Sequence, residues 1–139
     1  MNSLGDSGWR LRAIRGATTV TSNTVEAVRS AVDELLDALE AHNAVDPDQI
    51  VSVTFSVTPD IDAVFPAKIA RQRSGWDTVP LLDVQHMQVE GSLSHCIRLL
   101  MHVYMPAIAP SVHHPYLRGA SNLRPDWTSS LSVSGHRQE

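Results

Sequence analysis

Apolar and polar positions alternate with a period of two in several stretches, which predicts β-strands. The first strand reads WRLRAIRGATTV, with Trp9, Leu11 and Ala13 opposite Arg10, Arg12 and Ile14, and the second reads IVSVTFSVT. The third and fourth are TVPLLDVQHMQV and HCIRLLMHVYM. A fifth, imperfect strand reads HHPYLRGA, in which Pro115 indicates a sheet edge or a bulge.

A helical period predicts two helices. The long one is SNTVEAVRSAVDELLDALEAHN, with apolar side chains at helical spacing and charged ones between them. Asn23, followed three residues later by Glu26, resembles a capping box. The short one is FPAKIARQRSG, with Pro66 in its first turn and Gly75 beyond its end.

The predicted order is β, α, β, short α, β, β, β, which indicates an α/β (α+β mixed) fold. We expect a five-stranded mixed sheet with one long helix and one short helix. A right-handed crossover connects the first two strands through the long helix. Because one helix covers only one face of such a sheet, the other face is a candidate oligomer surface.

The length of 139 residues predicts one domain. Residues 1–8 are expected to be a flexible leader, 9–127 the domain, and 128–139 a flexible tail. The net charge of −4, with scattered cations, argues against a nucleic-acid partner. The sequence shows no membrane-spanning run and no signal-like start, and its single cysteine, Cys96, is predicted to be a small core residue. The cytoplasm is therefore the expected location.

The most informative position is Arg98, inside the fourth strand. Its neighbours at alternate positions on one face are wholly apolar, whereas Arg98 shares the other face with His102 and Tyr104. A guanidinium cannot give up its proton, so its burial requires an anion. That anion is either a carboxylate of the protein or a bound ligand, and both alternatives remain open at this point.

Other cations could serve the same ligand. Arg15 lies at the end of the first strand beside Gly16, and Lys68 and Arg71 lie three residues apart on the short helix, although they could equally form a solvated helix face. His113 and His114 suggest a metal only weakly, because no third ligand has suitable spacing. The residues alone thus indicate a mixed-sheet domain with arginines suited to a small polyanion.

Five collinear strings between Trp9 and Trp127 carry more information: IRGATTV, VTPDIDAVFPAKIAR, SGWDTVPLLDVQHM, GSLSHCIRLLMHV and YLRGASNLRPDW. Together they resemble the monofunctional, AroH-type chorismate mutases. The resemblance implies a homotrimeric pseudo-α/β barrel with an active site at each subunit interface. It also implies rearrangement of chorismate to prephenate, toward phenylalanine and tyrosine, with no cofactor, metal, nucleic acid or membrane partner.

The resemblance implies a role for each residue that matches a family position. Arg98 would contact the ether oxygen and a carboxylate of chorismate, Arg15 the side-chain carboxylate region, and Tyr116 a carboxylate. The remaining positions would line the pocket or supply positive charge near its mouth: Phe65, Ala67, Leu123, Lys68, Arg71, Arg124, and Leu82 through His86.

The chain departs from the family pattern at two of these positions. The bacillus-type sequence reads CMQEM where this chain reads DVQHM, so Asp83 replaces a cysteine and His86 replaces the glutamate that contacts the substrate hydroxyl. His86 can still form a hydrogen bond, but a neutral imidazole supplies no negative charge. Two alternatives therefore stay open: a non-catalytic homologue that binds chorismate or prephenate, and a trimeric enamine/imine deaminase.

Overall fold

A computed structural model describes residues 8–128. Apart from residues 8 and 128, the predicted leader and tail lie outside the described residues. The strands are β1 (Trp9–Thr19), β2 (Ile50–Val57), β3 (Leu81–Gln85) and β4 (Cys96–Pro106), and the α-helices are α1 (Val25–Asn43), α2 (Pro66–Arg71) and α3 (Pro125–Thr128). Short 3-10 turns occupy Pro47–Gln49 and Arg118–Asn122.

One mixed sheet has the strand order β1-β4-β2-β3. β4 runs antiparallel to both β1 and β2, and β3 runs parallel to β2. β1 and β2 are consequently parallel, as the predicted crossover requires, but β4 lies between them. The mixed α/β architecture with one long helix is confirmed, and β4 becomes a central strand in which Arg98 is paired on both sides.

The prediction of a fifth strand is wrong. The segment around Tyr116 forms only one parallel bridge to β1, at Ala17, through Ala17 N–H to the Pro115 carbonyl (3.0 Å) and Leu117 N–H to the Ala17 carbonyl (2.9 Å). The next step of a parallel ladder would need an N–H from Pro115, which proline lacks. It would also need the carbonyl of His113, which accepts a hydrogen bond from Asn43 Nδ2 instead (2.9 Å).

Helix α1 covers one face of the sheet. Val28, Val32, Leu35 and Leu39 are among its fully buried side chains, and they pack into the same core as alternate residues of β2 and β4. Its N-cap is Thr24, whose hydroxyl accepts from Ala27 N–H (3.1 Å), and not the predicted Asn23. Asn23 instead accepts hydrogen bonds from the backbone N–H groups of residues 62 and 63.

No element formed by residues 8–128 covers the opposite face of the sheet. On β1 this face carries Trp9 and Leu11, whereas Ile14 points into the core. The face of β1 that was predicted to be polar is therefore the one directed toward α1. Exposed apolar side chains continue across the other strands: Leu82, Val84, Leu100 and Tyr104. We name the face formed by these six residues the open face. Half or more of Leu11 (50%) and Leu82 (58%) is exposed.

Candidate active site

Arg98 lies in a cleft where β4, β1 and the segment around Tyr116 meet. The pairing of β4 places Arg98 opposite Ala17 on one side and Ser56 on the other. The cleft has a volume of about 450 Å³. Its lining consists of Arg15, Gly16, Thr54, Ser56, Arg98, Leu99, Leu100 and Tyr116. The structure thus brings together the three residues expected to bind a polyanion, Arg15, Arg98 and Tyr116.

Arg98 has no carboxylate partner within residues 8–128. None of the ion pairs formed there includes it, and its buried Nε has no hydrogen-bond partner in that part of the chain. A buried, unsatisfied charged donor is costly, and natural structures rarely leave one without a functional reason. Of the two alternatives for the anion of Arg98, this geometry favours a ligand.

Gly16 allows the close approach that forms the wall of this cleft. A Cβ atom at this position would lie 3.2 Å from the Pro115 carbonyl oxygen and 3.3 Å from a methyl carbon of Leu35. Both distances are shorter than ordinary van der Waals contact, so a side chain here would push β1 away from α1 and from Pro115. The glycine therefore keeps Arg15 and Tyr116 on neighbouring segments.

His86 lies beside this cleft and contacts Ser56, one of the residues that line it. Its Nδ1 lies 2.9 Å from the hydroxyl oxygen of Ser56, the residue that pairs with Arg98. Burial, together with the positive charge of Arg98, lowers the pKa of His86 below its ordinary value. The imidazole is therefore predominantly neutral at pH 7 and offers a hydrogen bond but no charge.

Two more predicted site residues, Leu123 and Arg124, follow the 3-10 turn Arg118–Asn122. Leu123 packs with Ala17, Tyr116 and Ala120 in a small apolar cluster. Arg124 donates to both carboxylate oxygens of Asp126, at 3.1 and 2.8 Å, so its charge is partly balanced within the chain.

A second group of predicted site residues lies elsewhere, at the start of α2 and on β3. Phe65 is 67% exposed, and it lines a separate cleft of about 500 Å³ together with Lys68 and Asp83. Among residues 8–128 the two clefts share no lining residue. Leu82 lies next to this second group, on the open face. The single chain therefore divides the predicted site into two parts.

Asp83 stabilises the start of α2. Phe65, the N-cap residue, has no side-chain cap, and the Asp83 carboxylate accepts a hydrogen bond from Ala67 N–H instead (3.0 Å). Burial raises the pKa of Asp83, although this N–H and the charge of Arg71 act in the opposite direction. The residue that replaces the family's cysteine therefore has a structural task as well as a place beside the cleft.

The sequence analysis missed two residues that hold the segment carrying Tyr116 in place. Asn43, at the end of α1, and His114, before Tyr116, fix the position of the segment carrying Tyr116. A polar residue at a core-facing position in the last helical turn was the available signal for Asn43. The histidine pair was considered only as a metal site, and residues 8–128 contain no group of three potential metal ligands. In that part of the chain no helix has the length and hydrophobicity needed to span a membrane.

This geometry defines a class of protein: a small α/β domain with a cleft lined by an arginine that has no carboxylate partner among residues 8–128. The family model of chorismate mutase type I matches residues 11–127. The chain therefore belongs to the type I chorismate mutase family.

Individual relatives agree with this assignment. The chorismate mutase AroH of Bacillus subtilis (strain 168) is 41% identical over 116 residues, which cover 84% of this chain and 91% of the relative. That of Thermus thermophilus is 42% identical over 121 residues, covering 86% and 98%. A solved chorismate mutase from Clostridium thermocellum superimposes with a TM-score of 0.72 at 39% identity, covering 80% of this chain and 98% of that one.

Proposed function

We propose that this protein is a chorismate mutase that converts chorismate to prephenate in phenylalanine and tyrosine biosynthesis. The observation that supports it most directly is the buried Nε of Arg98, which lacks a partner within residues 8–128 and lies in one cleft with Arg15 and Tyr116. Three cationic or hydrogen-bonding groups converge there, which suits a substrate with two carboxylates and an ether oxygen between them.

The rearrangement is intramolecular. The C–O bond of the enol ether breaks while a C–C bond forms between the side chain and the ring, and no atom enters or leaves. In the transition state, negative charge builds on the ether oxygen and positive charge on the ring. The protein therefore contributes by holding the flexible side chain over the ring and by stabilising the separating charges.

Four side chains in or beside the first cleft have roles in this scheme. Arg98 donates to the ether oxygen as its charge grows, and Arg15 and Tyr116 hold carboxylates of the substrate. His86, neutral and anchored to Ser56, occupies the position from which a side chain reaches the substrate hydroxyl. Because it supplies no negative charge, it leaves the cationic ring less stabilised than a glutamate would.

The site is completed by a second copy of the chain in a homotrimer. The support for this is the division of the predicted residues into two clefts, and the open face that joins them. In the trimer, the group containing Phe65, Lys68 and Asp83 of one subunit would close the cleft around Arg98 of its neighbour. We place this activity in the cytoplasm, where reduced Cys96 and a soluble substrate are expected.

The test is incubation of purified protein with chorismate, measuring chorismate loss and prephenate formation, with Arg98→Ala as the matched variant. Turnover that falls by about 10²–10³-fold in the variant is expected when one transition-state donor is lost. An Arg98→Ala protein as active as the parent would contradict the proposed mechanism. Tight chorismate binding without turnover in the parent would instead identify a binding protein, the alternative that neutral His86 keeps open.

A further inference from the structure

His114 makes an unusual contact with the backbone of a residue in the proposed site. Its Nδ1 accepts a hydrogen bond from the backbone N–H of Arg15 (2.9 Å). In a regular parallel ladder this N–H would donate to the carbonyl of His113, but that carbonyl accepts from Asn43. The imidazole thus substitutes for a missing backbone acceptor, two residues before the bridge between Ala17 and Tyr116.

We propose that His114 is a positioning residue: its neutral imidazole holds the backbone of Arg15 and so orients the Arg15 side chain toward the substrate. The role of Arg15 in this statement rests on the proposed chorismate mutase function. The contact itself, between a ring nitrogen and a backbone amide, is independent of that function. In this role His114 affects the reaction only through Arg15.

The contact requires one protonation state. Nδ1 accepts only when it carries no proton, so a doubly protonated ring would present a donor to the Arg15 N–H. Burial lowers the pKa of His114, and the charges facing it act in the same direction: His113 on its own segment, Arg15 on β1, and Arg124 before α3. The neutral, accepting form therefore prevails at pH 7, and the contact is lost only as the pH falls through this lowered pKa.

Two variants separate positioning from simple packing. In His114→Asn the side-chain oxygen can take the place of Nδ1 but does not titrate, whereas His114→Ala removes the acceptor. His95→Asn serves as the matched control: His95 is another partly exposed histidine, at φ 48°, a left-handed conformation that asparagine tolerates.

Steady-state kinetics from pH 5 to 8.5 should distinguish a positioning role of His114 from simple packing. At pH 8, His114→Ala is expected to lose roughly 3- to 10-fold in kcat/KM, about the effect of one hydrogen bond, mainly through a higher KM because Arg15 binds a carboxylate. His114→Asn should stay within about 2-fold of the parent. In both His114 variants, the part of the loss of kcat/KM at low pH that comes from protonation of His114 should be absent. His95→Asn should keep it. Equal impairment of the Asn and Ala variants, or an Ala variant with unchanged kcat/KM, would overturn the proposal.

A second measurement tests the contact without relying on activity. In the parent, the NMR amide signal of Arg15 should shift with pH in one step that coincides with the titration of the His114 ring, and His114→Asn should abolish that step. An Arg15 amide that ignores His114 titration would refute the positioning role even in a fully active enzyme. If the protein failed to convert chorismate but kept the coupled titration, the proposed function would be wrong while the backbone contact stood.

Discussion

Asn43 offers the sharpest test of how the fold holds its site together. Its side chain, 6% exposed, donates through Nδ2 to the carbonyls of Leu39 (3.0 Å) and His113 (2.9 Å), and its Oδ1 accepts from His113 N–H (2.8 Å). In Asn43→Ala the N–H and carbonyl of His113 lose their side-chain partners. The N–H and the carbonyl of His113, each left without its partner at a cost of about 1–3 kcal/mol, less a gain of about 0.5 kcal/mol in helix propensity, give a net loss of roughly 1.5–5.5 kcal/mol.

Thermal unfolding measures this loss directly. At this chain length the expected drop in Tm is on the order of 10 °C. Parent and variants must be compared at one protein concentration, because the Tm of an oligomer depends on it. Asn43→Asp keeps the acceptor for His113 N–H but turns an oxygen toward the two carbonyls, so at pH 7 it should destabilise at least as much as alanine.

Asn122→Ala, at an exposed position, is the control and should stay within about 0.5 kcal/mol of the parent. A loss below about 1 kcal/mol in Asn43→Ala would refute the reasoning, because it would mean that solvent satisfies the His113 backbone as well as Asn43 does.

The remaining predictions concern the two clefts. Co-refolding Arg98→Ala with a Lys68→Ala/Arg71→Ala chain at equal amounts should recover about a quarter of parental activity if neighbouring subunits share each site; no recovery would argue against shared sites. Burial raises the pKa of Asp83, so ionisation of Asp83 lowers the stability of the fold as the pH rises above about 4. Asp83→Asn should therefore match or exceed the parental Tm at pH 7, and the difference in Tm should shrink as the pH is lowered. A clear drop in Tm would show that the charge is needed. The lowered pKa of His86 predicts a bend in the kcat/KM profile below about pH 6.5, which His86→Glu should remove; a bend that persists unchanged would exclude His86 as its source.

The sequence predicted the elements whose pattern is local. Strict alternation in β4 placed Arg98 on the face opposite the core, and the helical period predicted α1 nearly to its last residue. The fifth strand failed because Pro115 lacks a donor and because Asn43, distant in sequence, takes the carbonyl that the ladder needed. This competition for a hydrogen-bond acceptor depends on the tertiary structure, so the periodicity of the sequence does not reveal it.

The resemblance gave candidate residues for the site but not their arrangement. Resemblance to a family supplied the residues, and the structure collects Arg98, Arg15 and Tyr116 in one cleft as expected. Neither periodicity nor resemblance by position indicated that Asp83 would bind the start of α2. Its carboxylate becomes available to that N–H only once β3 lies parallel to β2 and α2 packs beside β3.

The open face affects the behaviour of the newly synthesised chain. Trp9, Leu11, Leu82 and Leu100 are exposed together among residues 8–128, and β1 and β3 are the edge strands of the sheet, with β1 partly covered by the segment around Tyr116. A single folded copy is therefore prone to stick to surfaces and to other chains. If the proposed trimer covers the open face, preparations in which it dissociates should lose protein to aggregation before they lose it to unfolding, and the yield of soluble protein during expression should depend on the rate of assembly.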